Sequence, residues 1–137
     1  MFYTTETAIV GRLGGVIPGA PVLGTFDLVD FADESAPRVA VQVRWLGFAV
    51  EDQATNAAKL SQRFEVAVLI DAARARDADR TAAAEGLTAI VQQLLGFEIT
   101  RGQRLSLAGQ TPAPDFDGYT LRLSVLFSVP GVITASR

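Results

Sequence analysis

A strand-like run feeding one long amphipathic helix, residues 63–96, restricts most severely what this chain can fold into. Phe64, Val66, Val68 and Ile70 alternate with Glu65, Ala67 and Leu69, giving one wholly apolar side and one mixed side. The chain then turns through Asp71-Ala72-Ala73-Arg74-Ala75-Arg76, and a helix is predicted from Asp79 to about Leu95. Ala83, Leu87, Ile90, Val91, Leu94 and Leu95 fall on one stripe at helical spacing. Arg80, Thr81, Thr88, Gln92 and Gln93 fall largely outside it. Asp77 or Asp79 is the expected N-cap, and Gly96 the left-handed residue that ends the helix. Such a helix needs a sheet face to cover.

The flanking segments supply that sheet. Residues 5–16 read as a first helix, capped by Thr4 or Thr5, with Glu6 near its positive end. Its narrow stripe is Ile9, Val10, Leu13 and Val16, and Pro18, Gly19 and Pro21 terminate it. Residues 21–31 are strand-like, with Phe26 and Leu28 sharing a face. Residues 38–50 form a better strand, with Val39, Val41, Val43 and Trp45 facing one way. Arg38, Ala40, Gln42 and Arg44 face the other, and Gly47 marks a bulge. The polar, Ala-rich run 51–62 reads as a long hairpin loop. Residues 102–109 form a shorter strand with Leu105 and Leu107 on one face, and 110–118 a loop. Residues 119–129 form the clearest strand, stopped by Pro130-Gly131, with 132–137 a tail or short added strand.

Assembled, these elements predict an α+β fold. An antiparallel or mixed sheet of about five strands carries an N-terminal helix and a central amphipathic helix on one face. The strands around Ile70 and Leu105 could run parallel, because a helix separates them. The opposite face bears Arg38, Gln42, Arg44, Glu65, Arg122, Ser124 and Ser128 among small and apolar residues. A monomer would leave it wet; a ring-forming subunit would pair it with a neighbour or line a channel.

Composition removes most catalytic chemistry. The 137 residues contain no Cys and no His, which excludes Ser-His-Asp and Cys-His catalysis, disulfides and ordinary zinc sites. Gly11-Arg12-Leu13-Gly14-Gly15 lacks the Lys-Ser/Thr of a phosphate-binding loop, and no strand precedes it. Net charge is −3 and the basic residues are dispersed, which argues against a duplex-tracking groove. The first six residues do not read as a signal peptide, and no apolar run is long enough for a membrane span. Asp27, Asp30, Asp33 and Glu34 form one acidic cluster, Asp115 and Asp117 another. Either offers oxygen ligands for a divalent cation but neither has EF-hand spacing. The expectation is a non-enzyme without a cofactor or metal.

The pattern resembles the bacteriophage tail-terminator family, including the small Mu-like prophage tail proteins. The resemblance rests on Ala8-Ile9-Val10-Gly11-Arg12-Leu13 in the first helix and on the 64–70 strand with its helix to Leu95. It rests also on Asp117-Gly118-Tyr119-Thr120-Leu121-Arg122-Leu123 opening the last long strand. It covers most of the chain and implies a single tail-terminator-like domain, 1–137. It implies a structural virion protein, assembled in the host cytoplasm, whose hexameric ring caps the tail tube at its head-proximal end. That ring would stop tube polymerisation and dock the head connector, with DNA passing through the lumen without sequence-specific binding. Head–tail connector, neck and tail-completion roles fit the same residues, and a cation-dependent binding domain is the remoter alternative. Candidate contacts with ring neighbours or tube are Glu51, Asp52, Lys59, Arg74, Arg76, Asp115 and Asp117.

Overall fold

A computed structural model of the chain describes residues 2–28, 31 and 37–136. Three 15-residue strands dominate it: β2 (Val39–Gln53), β3 (Ala57–Asp71) and β8 (Thr120–Thr134). Each spans roughly 50 Å at about 3.4 Å per residue. β3 lies between the other two and is antiparallel to both over nearly its whole length. The short strands are β1 (Val22–Leu23), β4 (Glu98–Thr100), β5 (Gln103–Arg104), β6 (Ser106–Leu107) and β7 (Asp115–Phe116). The main sheet runs β1-β2-β3-β8-β6, with β7 also on β8, while β4 and β5 form a separate hairpin. β1 supplies the parallel pairing with β2, so the sheet is mixed. β6 runs parallel to β3, as the intervening helix allows, but β8 is inserted between them.

Both helices, α1 (Phe2–Arg12) and α2 (Asp77–Leu94), serve one face of this sheet. Val41, Val43, Phe64, Val66, Val68 and Phe127 meet Ile9, Leu13, Ala83, Ile90 and Leu94, all without solvent exposure. Period-2 strands and a period-3.6 stripe therefore converge as the sequence requires. The stripe includes one residue that hydrophobicity does not mark. Gly86 is buried in α2 because Ile17 sits directly on it. A Cβ there would lie 2.3 Å from Ile17 Cγ1. An exposed helical Gly→Ala change normally stabilises by about 1 kcal/mol. Gly86→Ala should instead destabilise by about 1–3 kcal/mol through overpacking, read as a lower urea midpoint at unchanged slope.

Several boundaries differ from the sequence reading, for local reasons. α1 starts at Phe2, whose ring stacks on Trp45 at 4.4 Å, so Thr4 and Thr5 lie inside the helix and do not cap it. It ends at Arg12, ahead of Gly15 at φ 77°. Among the described residues of the 21–31 segment only Val22–Leu23 is strand; Phe26 and Leu28 are exposed, and Val29 and Asp30 lie outside the described residues. α2 begins at Asp77, with Arg76 as N-cap; the Arg76 backbone N–H donates to Asp79 Oδ2 at 2.8 Å. Leu95 falls past the helix end and is exposed, while Gly96 is left-handed as expected (φ 76°). The 102–109 strand splits: Leu105 is buried but Leu107 is exposed, because β5 pairs with β4 and β6 with β8.

The largest correction is the 51–62 segment. It is not a long loop. β2 and β3 continue through it to a tight turn, where Ala54 N–H donates to Ala57 O at 2.8 Å. Asp52 pairs across from Lys59 and Gln53 from Ala58. Pro130-Gly131 likewise does not stop the last strand: Pro130 pairs with Ser61 and β8 runs on to Thr134. Past Ser128 no described strand pairs with the outer edge of β8, so the missing proline N–H costs no ladder bond there.

Candidate functional site

The face of the sheet away from the helices is where the sequence concentrates charge. The structure does not leave it wet. Residues following β1 fold back over it, and Ala40, Ala67 and Leu69 are buried with Phe31. Gln42, Glu65 and Ser124 are buried as well. Glu65 is held from both sides. Arg122 Nη1 donates to Glu65 Oε1 at 2.7 Å, and Arg44 Nη2 to Oε2 at 3.3 Å. Arg122 Nη2 donates to Gln42 Oε1 at 2.9 Å, and Gln42 Nε2 donates to the Asp27 carbonyl at 3.1 Å. All three long strands thus contribute to a chain of charge-assisted bonds that clamps the 24–28 segment to the sheet.

A second tether fixes the same segment from the helix side. Buried Glu6 of α1 accepts from the Thr25 backbone N–H at 3.1 Å and from the Thr25 hydroxyl. Thr25 Oγ1 accepts in turn from the Trp45 backbone N–H at 2.9 Å. That bond lies just before the bulge at Gly47 (φ 95°), where the β2–β3 register shifts between Trp45 and Phe48. Gly24 lets the two approach closely: a Cβ there would lie 2.7 Å from Glu6 Oε2 and push that carboxylate aside. Glu6 is therefore a tertiary anchor, a role that its expected place near the positive end of the helix did not suggest.

The seven candidate contact residues divide between the two ends of the sheet. Glu51, Asp52 and Lys59 are exposed on the distal β2–β3 hairpin. Arg74, Arg76, Asp115 and Asp117 lie at the other end, where β3 leaves the sheet and β8 enters it. Arg74 is engaged within the chain: its Nε donates to Asp71 Oδ2 at 2.5 Å. Arg76 is exposed at the start of α2. Asp117 Oδ1 accepts from the N–H groups of Thr120 (2.7 Å) and Tyr119 (3.1 Å). Those two bonds hold its carboxyl below the usual range and make it a turn former ahead of β8. Asp115 lies opposite Arg122 in the β7–β8 pairing.

Asp71 controls the turn at this end. It is buried, which pushes its carboxyl up. The Arg74 side chain, with the N–H groups of Arg74 (3.3 Å) and Ala73 (3.1 Å), outweighs that and holds the pKa below the ordinary value. A depressed folded-state pKa gives stability that is present above the unfolded pKa and is lost as pH falls through the folded one. Asp71→Asn should therefore lower stability by about 1–3 kcal/mol at neutral pH. The gap to wild type should narrow below about pH 4, where the unfolded carboxyl protonates. Urea midpoints at both pH values check this.

Asp27, Asp115, Asp117, Gln42 and Arg122 also line a cavity of about 170 Å³ on this face. Among the described residues no three Asp or Glu side chains gather as a metal site, and Asp30, Asp33 and Glu34 lie outside them. No helix among the described residues is long and apolar enough to cross a membrane.

At the distal end the three long strands stand as an arm. β1 pairs only with Val41 and Gln42 of β2, so no described strand covers the outer edge of β2 over residues 46–53. Leu46, Phe48, Val50, Val132 and Ile133 are exposed on this arm. Sequence reading missed the surface because 51–62 lacks alternation, although the apolar Leu46, Phe48 and Val50 were visible ahead of it.

No protein-family model and no curated protein sequence matches the chain. Among solved structures it is similar to a chain of one titled "Virion of native gene transfer agent (GTA) particle". The TM-score is 0.53 at 18% identity, over 91% of this chain and 92% of that one. At that identity the likeness speaks to fold: the chain shares, nearly end to end, the architecture of a polypeptide from a gene transfer agent virion.

Proposed function

We propose that the chain is a structural virion protein, and that residues 1–137 form a single tail-terminator-like domain. In this reading it assembles into a hexameric ring at the head-proximal end of a phage-type tail, caps the tube, ends its growth and docks the head connector. The observation that carries the reading is the near end-to-end likeness to a gene transfer agent virion chain. Two features of the molecule support it. The charged groups inside the sheet are bonded to one another and to the backbone as structural ties. Leu46, Phe48 and Val50, exposed apolar side chains of the distal arm, recur at every second position along a strand edge that no described strand covers, as an assembly surface requires. Glu51, Asp52 and Lys59 would then contact ring neighbours or tube from one end, and Arg76, Asp115 and Asp117 from the other. Arg74 would contribute through the turn it stabilises. DNA would pass through the lumen without sequence readout, which the net charge of −3 suits.

Electron microscopy of purified protein mixed with growing tail tubes tests this reading. Capped tube ends and arrested growth are expected. Binding to the head vertex without binding to tube ends would transfer the protein to the connector, neck or completion role.

A further inference from the structure

The two edges of the distal arm are chemically matched to each other. One is the outer edge of β2. It presents Phe48 and Val50, each more than half exposed, followed by Glu51 at the tip. It contains no proline over residues 46–53, and no described strand pairs with it. A long edge with exposed apolar side chains and no described strand against it is a liability in a monomer and a template in an assembly. The other edge belongs to β8, on the far side of β3. There the β4–β5 turn stands beside the strand and leaves an open groove lined by Lys59, Arg101, Gln103, Pro130, Gly131 and Val132. Its floor is apolar and its two charged groups are cationic. Pro130 has no N–H to offer, which suits a groove that receives side chains more than one that adds a strand.

We propose that the β2 edge of one copy seats in the β8 groove of the next, with Phe48 and Val50 against Pro130–Val132 and Glu51 facing Arg101. The occupant is a second copy because the apolar and charge complement to each edge is found on the other edge of the same chain. The contact is head-to-tail, since donor and acceptor lie on opposite flanks of one three-stranded arm, and such contacts close into rings when the rotation permits. This rests on the ring-forming reading above and adds which surfaces close the ring.

Sedimentation mass against concentration tests it, with thermal unfolding to confirm that each variant folds. Phe48→Ser/Val50→Ser (donor side) and Arg101→Glu/Val132→Asp (acceptor side) should each raise the concentration needed for assembly about tenfold or more. The two variants mixed should form a dimer, because one retains a sound groove and the other a sound edge. Glu51→Lys should weaken assembly and recover on combination with Arg101→Glu. Rings that survive both double variants, or a mixture that stays monomeric, would overturn this contact while leaving the ring reading intact. A wild-type chain that is monomeric at every concentration would overturn both.

Discussion

Phe64→Ala should cost about 3–5 kcal/mol of unfolding free energy, the largest loss expected from a single change in this chain. Phe64 has no solvent exposure and sits at the centre of β3, directly across from Trp45 on one side and Phe127 on the other. Removing its ring leaves a cavity bounded by two strands whose register is fixed over many residues, so the walls have little freedom to close in. Chemical denaturation should show a lower midpoint with little change in slope. A loss below about 1 kcal/mol would mean that the three long strands do not share the core described above.

The second large effect is expected at Glu65. Its side chain is 8% exposed and bonded to Arg44 and Arg122, which are 42% and 23% exposed. Glu65→Ala removes the carboxylate that Arg122 and Arg44 both bond, leaving Arg122 partly buried beside Gln42. Breaking such a pair typically costs 3–5 kcal/mol, and the exposure of Arg44 places this case near the lower end, at about 3 kcal/mol. Glu65→Leu/Arg122→Leu should lose less than the sum of the single changes, because the unmatched charge is removed with its partner. Strict additivity of the two changes would show that the groups do not interact.

These two positions also show what the sequence could and could not announce. The alternation of Phe64, Val66, Val68 and Ile70 against Glu65, Ala67 and Leu69 is a local signal, and both faces are as it indicates. The α2 stripe is equally local, apart from Gly86, whose burial depends on Ile17 arriving from a distant part of the chain. The distal arm was illegible for the same physical reason. Glu51, Asp52 and Lys59 are poor strand formers. They are extended because β3 has β2 on one side and β8 on the other, a condition no local window reports. The covering of the polar face was hidden in the bonds Glu6–Thr25 and Gln42–Asp27, which join residues 15 to 19 positions apart. Of the candidate contact residues, the sequence identified polar turn positions correctly at Asp117. It mistook strand for loop at Glu51, Asp52 and Lys59.

The central claim is that this fold is a building block of a tail-bearing particle. Electron cryomicroscopy of the particle that carries the chain tests it most directly. The expected result is density for the three-stranded arm and its two helices, repeated around the tail axis as a ring between tube and head. A particle complete without this chain would contradict the claim.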